Sequence, residues 1–173
     1  MRPTSSVLIV MLAMILPGLV PDAARADCAT QTFFSCRVEN GKQLEVCIDP
    51  DAFAGTGGFS YSFGPPGAPE LRLQVPMAAG TVTPWNGVGR EIWETVGFPN
   101  GDYLYEAWHS VERNADNAAA MAGVNVLRGT DLVARLTCVG RPDAQFFVLV
   151  DAMAAAGWCW DIATQRWGRG ICP

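Results

Sequence analysis

Turn-forming residues divide most of this chain into short runs of β-type sequence, and this spacing is the strongest constraint on its fold. The separating segments are rich in proline and glycine, as in GPPGAPE at residues 64–70. Strand-like runs at such regular spacing predict a mainly β, antiparallel fold, either a sandwich or a barrel of about eight strands. The runs are TFFSCRV, LEVCI, GFSYSF, LRLQV, REIWETVGF, DYLYEAWHSV, AGVNVL and LVARLTC.

One later segment has a different character. Residues 143–157, DAQFFVLVDAMAAAG, begin with an aspartate that can cap a helix, are alanine-rich in the centre and end with glycine. This pattern predicts one C-terminal helix, although its apolar run FFVLV is equally compatible with a strand. The tail that follows, WCWDIATQRWGRGIC, is interpreted as irregular.

Residues 1–26 have the composition of an export signal. Arg2 precedes the apolar run VLIVMLAMIL at residues 7–16, and ARA at residues 24–26 matches a signal-peptidase site. We therefore expect residues 27–173 to form a single β-rich domain, without a membrane span, in the periplasm or outside the cell. Cys28 raises the alternative of a lipoprotein, but Asp27 stands where such a site requires a small residue.

The first predicted hairpin, SCRVENGKQLEVC at residues 35–47, carries a cysteine near each end. A three-residue loop, Glu39-Asn40-Gly41, places the apolar residues of both strands on one face, whereas a two-residue loop mixes polar and apolar residues. In this register Cys36 points inward and Cys47 outward, so these two cysteines are not expected to be each other's partner.

All the cysteines follow the export signal, and their even number predicts a framework of disulfides. Six cysteines allow 15 pairings, and the opposite facing of Cys36 and Cys47 excludes only those that join these two. Among the rest, we predict Cys36–Cys138 across the core and Cys28–Cys47 at the edge. Cys159–Cys172 would then close the tail. No Cys-x-x-Cys occurs in the chain, so neither a redox motif nor a zinc site is indicated.

The sequence offers little for catalysis. His109 is the only histidine, and we expect it to pack among aromatic residues, sharing a strand face with Tyr103 and Tyr105. If Pro99-Asn100-Gly101 forms the next hairpin loop, Glu94 lies opposite Glu106, and such a pair suits a glycan-cleaving hydrolase. A solvated strand face is the simpler interpretation of these two glutamates. No motif for a metal or cofactor is present, and none is expected.

Binding is better supported than catalysis, because tryptophan is frequent. The segment TQRWGRG places Trp167 between Arg166 and Arg169, and these residue types are typical of recognition surfaces. The formal net charge of −5 argues against nucleic acid as a partner. An unknown protein or glycan is the expected partner. The tryptophans are Trp85, Trp93, Trp108, Trp158, Trp160 and Trp167.

Three segments, FFSCRVENGKQLEVC, YSFGPPGAPELRL and NVLRGTDLVARLTC, together resemble an uncharacterised family of small exported proteins of Gram-negative bacteria. That resemblance implies an exported protein and no particular activity. Residues 35–47 also resemble the first hairpin of the periplasmic inhibitors of C-type lysozyme, which are small acidic β-barrels. The second resemblance implies an inhibitor of a cell-wall hydrolase such as lysozyme, and no site residue is carried over from it.

The sequence therefore predicts an exported, disulfide-stapled, non-enzymatic binding domain. Its alternative is a glycan-cleaving hydrolase that uses Glu94 and Glu106.

Overall fold

The computed structural model of the chain describes residue 28 and residues 31–77, 81–115 and 117–170. The predicted export signal and Cys172 lie outside these residues. The described residues form strands, one α-helix and a short 3₁₀-helix at Pro50–Ala54. The strands are β1 (Gln31–Arg37), β2 (Gln43–Ile48), β3 (Gly58–Gly64), β4 (Leu71–Pro76), β5 (Thr81–Thr83), β6 (Glu91–Asn100), β7 (Tyr103–Glu112), β8 (Met121–Arg128), β9 (Asp131–Thr137), β10 (Asp143–Ala144), β11 (Trp158–Asp161) and β12 (Arg166–Arg169), and the helix is α1 (Val148–Ala155).

Two five-stranded antiparallel sheets make up most of the fold. The first sheet has the order β10-β1-β2-β3-β4 and the second β5-β6-β7-β8-β9, while β11 and β12 form a separate hairpin. The two sheets contribute to one hydrophobic core, and across it the ring of Tyr61 lies 5.5 Å from that of Phe98 and 5.8 Å from that of Tyr105. The predicted mainly β, sandwich-like architecture is confirmed, and the predicted strands correspond to β1–β4 and β6–β9.

The first hairpin has the predicted register. Phe34 pairs with Val46 and Cys36 with Leu44, and the loop between the strands closes through a hydrogen bond from the Gly41 N–H to the Val38 carbonyl at 2.8 Å. Gly41 has a φ of 78°, the left-handed conformation that a loop of this type requires of its last residue. Side-chain alternation alone was therefore sufficient to set this pairing.

A β-bulge in β1 brings two consecutive phenylalanines into the core. Thr32 pairs with Cys47 and Phe34 with Val46, which leaves Phe33 as the additional residue. A regular strand would point neighbouring side chains to opposite faces, but a bulge allows both to face the same side. Phe33 and Phe34 are both fully buried, and burying each phenyl ring contributes about 2–3 kcal/mol.

The two disulfides within the described residues are those that were predicted. Cys28 is bonded to Cys47 and Cys36 to Cys138, with Cα–Cα distances of 5.3 and 5.6 Å. The second bond connects the two sheets at the point where the Val139 N–H donates to the Arg37 carbonyl at 2.7 Å. Cys159 is also disulfide-bonded, and its predicted partner lies outside the described residues.

The predicted register of the β6–β7 hairpin is wrong. Asn100 pairs with Tyr103, so the turn is Gly101-Asp102 and not Pro99-Asn100-Gly101. The physical reason is burial, because the observed register sets Val96 and Phe98 beside Ala107 and Tyr105 on the core side. The predicted register would have set the same two apolar residues beside Leu104 and Asp102.

The C-terminal region also differs from its prediction. The helix begins at Val148, because Asp143 pairs with Ser35 in β10 and does not cap it. Gly157, with a φ of 76°, ends the helix as predicted. The tail that was interpreted as irregular is the β11–β12 hairpin, in which Trp160 pairs with Trp167. Within the described part of the chain, no helix has the length and apolar character needed to cross a membrane.

Candidate functional site

The tryptophans neither fill the core nor stand free in solvent, since all of them are partly buried. Three lie on the β11–β12 hairpin, two lie on the outer face of the second sheet, and Trp85 lies in a loop beneath the guanidinium of Arg113, 5.2 Å from its ring. The hairpin group and the sheet group are the two candidate recognition surfaces.

The predicted binding residues of the hairpin are mostly engaged in internal contacts. The Trp167 indole N–H donates to the Val82 carbonyl at 2.8 Å, and its ring lies 5.2 Å from that of Trp160. Arg169 donates to the Ala156 carbonyl at 2.8 Å, and its guanidinium lies 4.2 Å from the ring of Trp158.

Arg166 is exposed, and in the strand register of the hairpin it lies opposite Asp161. It lies on the face of the hairpin opposite to Trp167 and Arg169, because neighbouring residues of a strand point to opposite sides. The three predicted residues therefore share one hairpin without forming one surface.

Glu94 and Glu106 lie on opposite faces of the second sheet. Glu94 pairs with His109, whereas Glu106 pairs with Gly97. Glu94 is fully buried on the core side, and Glu106 accepts a hydrogen bond from the Asn125 amide at 3.0 Å on the outer side. The two carboxylates do not face each other, so the premise of the paired-carboxylate hydrolase is absent.

The outer face of the second sheet collects a different set of side chains from four neighbouring strands. Trp93 on β6 pairs with Ser110, and Trp108 on β7 pairs with Gly123. Because Trp108 precedes Ser110 by two residues, both indoles lie on the same side of the sheet. We call this surface the tryptophan face. It consists of Trp93, Glu106, Trp108, Asn125 and Arg135.

The indole ring of Trp108 lies over Gly123 on the outer face of the sheet. A β-carbon at Gly123 would lie 2.9 Å from Cζ2 of Trp108 and 2.3 Å from the Leu136 carbonyl oxygen. The indole therefore occupies the space that a side chain at position 123 would fill. Ser110, beside it, is only 4% exposed although it points to the outer face. The result is an aromatic surface supported directly by the backbone of β8.

A chain of hydrogen bonds runs alongside the tryptophans. Asn125 donates to Glu106, and its side-chain oxygen accepts a bond from Nε of Arg135 at 2.8 Å. The Arg135 guanidinium carbon lies 5.9 Å from the Trp108 ring centroid, within range of a cation–π contact. Among the described residues, Arg135 takes part in no ion pair. Its charge is therefore held in place at the edge of the aromatic surface.

A small cleft adjoins the tryptophan face at Arg135. It has a volume of about 210 Å³ and lies between β9 and the β1–β2 loop. Glu39, Asn40 and Thr137 contribute polar groups to it. Arg135 borders both the cleft and the aromatic surface, so the two adjoin at this side chain.

A larger groove of about 450 Å³ lies on the outer face of the first sheet, with Glu45, Ser62 and Arg72 in its lining. The sulfurs of Cys28 and Cys47 lie near the Glu45 carboxylate. They are joined in a disulfide, so they offer no thiolate to a metal ion. The neighbours of Cys28 in the sequence lie outside the described residues.

The inner face of the second sheet holds a fully buried pair of titratable residues, Glu94 and His109. Nε2 of His109 lies 3.1 Å from Oε2 of Glu94. The imidazole packs among phenylalanine rings, 4.2 Å from Phe33 and 4.1 Å from Phe146 between centroids. The expectation that His109 packs among aromatic residues is confirmed, although the neighbours are phenylalanines and not the predicted tyrosines.

Burial determines the charge state of this histidine. Desolvation lowers the pKa of His109, and it outweighs the hydrogen bond and the charge of Glu94, which act in the opposite direction. The imidazole is therefore neutral near pH 7.

The sequence contained a signal for the tryptophan face that the wrong β6–β7 register concealed. Trp93 and Thr95 alternate with the buried Glu94 and Val96 on β6, and Glu106 and Trp108 alternate with the buried Ala107 and His109 on β7. Combined with a correct turn at Gly101-Asp102, this alternation places Trp93 and Trp108 on one side.

Comparison with known proteins adds no relative to this picture. A scan against protein-family models and searches of curated proteins and of solved structures found no match to the chain.

Proposed function

We propose that this protein is an exported, non-enzymatic binding domain that holds a glycan on the tryptophan face. The observation that carries the proposal is the arrangement of Trp108, fitted onto Gly123 and bordered by the Asn125–Arg135 chain of hydrogen bonds. It combines an aromatic surface with oriented polar groups at its edge.

Pyranose rings suit such a surface for a physical reason. One side of a pyranose presents C–H groups with partial positive charge, which complement the negative face of an indole ring. Hydroxyl groups at the rim of the sugar need donors and acceptors, and Glu106, Asn125 and Arg135 offer both. The fixed polar groups would set the orientation of the sugar, while the indoles supply most of the contact area.

Export is supported by the disulfides. Cys28–Cys47 and Cys36–Cys138 join distant parts of the described chain, and such bonds persist mainly in oxidising compartments. An export signal at residues 1–26, and a periplasmic or secreted location, are part of this proposal.

Titration calorimetry with defined oligosaccharides tests the proposal. The probes are an N-acetylglucosamine tetramer, a glucose tetramer and a galacturonate tetramer, each titrated into the wild-type protein at pH 7.5. We expect saturable binding of at least one of them. Trp108→Ala should weaken that binding about 30-fold, since a central aromatic anchor contributes about 2 kcal/mol or more.

The matched control is Trp160→Phe on the β11–β12 hairpin, which should bind as the wild type does. Equal losses in Trp108→Ala and Trp160→Phe would contradict the assignment to the tryptophan face. Absence of heat with all three probes at millimolar concentration would contradict glycan binding as a whole.

A protein partner is the second proposal, and it concerns the groove on the first sheet. Glu45, Asp49 and Arg72 line this groove, which lies beside the hairpin whose sequence resembles that of the lysozyme inhibitors. The chain as a whole has a formal net charge of −5, which suits a basic partner. A C-type lysozyme activity assay with the protein in micromolar excess tests it. Unchanged activity would contradict the inhibitor proposal and leave the glycan proposal standing.

A further inference from the structure

The buried Glu94–His109 pair connects the second sheet to the start of the helix. Oε2 of Glu94 accepts the hydrogen bond from His109 and also the backbone N–H of Phe147 at 2.6 Å. Phe147 is the residue that precedes α1, and its carbonyl accepts the Asp151 N–H at 2.9 Å. One carboxylate oxygen therefore joins β6, β7 and the first turn of α1.

The backbone at this junction is strained. Phe147 has a φ of 66°, in the left-handed region, where a residue with a β-carbon is destabilised by about 1–2 kcal/mol. Its ring is 45% exposed, so burial of the side chain does not compensate for the strain. The bond from the Phe147 N–H to Glu94 holds this conformation in place.

Apart from Glu94, no charged group is among the neighbours of His109 that the described residues show. Phe33 and Phe34 approach from β1 and Phe146 from the segment before α1, while Ala122 is the cross-strand neighbour of His109 on β8. None of these side chains titrates. Oε1 of Glu94 and Nδ1 of His109 have no hydrogen-bond partner among the described residues. Apart from Glu94 itself, an added proton on His109 would therefore find no acceptor or counter-charge among these neighbours.

The pair also lies directly behind the tryptophan face. Glu94 follows Trp93 on β6, and His109 follows Trp108 on β7. Because neighbouring residues point to opposite sides of a strand, the pair and the two indoles share the same stretch of backbone. A shift of either strand at the pair moves a tryptophan.

We propose that the Glu94–His109 pair is an acid-sensitive latch that holds α1 to the second sheet and keeps the tryptophan face in its binding form. Proton uptake by the imidazole adds an N–H at Nδ1 that has no acceptor among the described residues, and the cost of burying the charged ring outweighs its attraction to Glu94. Acid therefore favours an open state in which His109 is hydrated, the start of α1 is released and β6 and β7 are loosened. The consequence for ligand binding rests on the proposed function, whereas the latch itself does not.

The direction of the pH effect follows from the lowered pKa of His109. In the unfolded chain the pKa of a histidine is about 6.5, whereas in the latched state the pKa of His109 is lower. At a pH between these two pKa values, the unfolded or unlatched state therefore binds more protons than the latched state does. The contribution of the pair to stability is complete above about pH 6.5 and is lost as the pH falls toward the lowered pKa.

The first test uses the fact that His109 is the only histidine. A proton NMR titration of the wild-type protein reports the imidazole Cε1–H without ambiguity of assignment. We expect no protonation down to a pH clearly below 6.5, followed by a change in the Phe146 ring signals together with that of His109. A reversible titration at pH 6.5 or above, with the ring signals unchanged, would overturn the latch.

The second test compares thermal unfolding midpoints at pH 7.5 and pH 5.0. The wild type should lose stability on acidification, and His109→Gln, which keeps an N–H donor and cannot titrate, should lose less. The matched control is Glu91→Gln, an exposed carboxylate on the same strand, which should retain the wild-type pH dependence. An equal fall in the unfolding midpoint of the wild type and of His109→Gln would overturn the latch. If His109→Gln does not fold, the NMR titration of the wild type decides the question.

Binding of the oligosaccharide that gives heat at pH 7.5 is then measured at pH 5.0. We expect the wild type to bind more weakly at pH 5.0 than at pH 7.5, and His109→Gln to show a smaller change. Equal weakening in both proteins would overturn the coupling between the latch and the tryptophan face. Absence of binding at pH 7.5 would overturn the proposed function instead, and the NMR and unfolding results would still judge the latch.

Discussion

At the scale of single residues, the tryptophan face depends on a position that has no side chain. Gly123 leaves open the space that the six-membered ring of Trp108 occupies, and the Leu136 carbonyl closes the same space from β9. Glycine normally weakens a strand interior, and it is found where another group approaches the backbone closely. Here that group is an indole, so the glycine and the tryptophan form one unit.

Replacing Gly123 with alanine tests this unit. The added β-carbon would lie 2.3 Å from the Leu136 carbonyl oxygen, so strands or ring must move, and we expect a loss of about 1–3 kcal/mol in the free energy of unfolding. Urea denaturation followed by tryptophan fluorescence measures it. Gly168→Ala is the control, because a β-carbon there has no atom within 4 Å. Equal stability of the two variants would contradict the fitted arrangement.

At the scale of elements, the two hairpins of the sheets show when local pattern is sufficient for prediction. In β1–β2 the apolar alternation is clean in only one register, and the structure has that register. In β6–β7 the strands carry polar residues on both faces, and Glu94 and His109 are polar residues on the core face. Alternation there is ambiguous, and the Pro-Asn-Gly sequence suggested a turn that the chain does not use.

The β1–β2 loop gives an element-scale prediction. A β-carbon at Gly41 meets no atom within 4 Å, but its φ of 78° is unfavourable for other residues. Gly41→Ala should therefore lower the free energy of unfolding by about 1–2 kcal/mol through the backbone alone. Gly41→Asn should lose less, because asparagine tolerates this conformation. A chemical denaturation series on the three proteins measures both effects, and equal loss in the two variants would contradict a purely conformational cause.

At the scale of the whole molecule, the disulfide between Cys36 and Cys138 joins the two sheets. It spans 102 residues of sequence, whereas Cys28–Cys47 spans 19. The sheets also meet through the core, so the bond restricts the unfolded chain more than it adds contacts to the folded one. The chain-entropy account relates its stabilisation to the length of the closed loop.

Pairwise replacement by serine tests that account. Removing Cys36–Cys138 should cost about 4–5 kcal/mol and removing Cys28–Cys47 about 3 kcal/mol, since the longer loop loses more entropy on closure. Thermal unfolding of the two double variants under non-reducing conditions gives the comparison. A larger loss from the shorter loop would show that native contacts around Cys28, and not loop length, determine the effect.

The amino-acid sequence by itself determined the strands β1–β4 and β6–β9, the register of the first hairpin, and the opposite facing of Cys36 and Cys47. Each of these follows from alternation and turn chemistry within short segments, which the chain carries locally. The tertiary structure decided the register of β6 and β7, the burial of Glu94 and the joining of Trp93, Trp108 and Arg135 on one surface. Those features depend on which face of the second sheet packs against Phe33 and Tyr61 of the first, and residues so far apart in sequence are brought together only when the core forms.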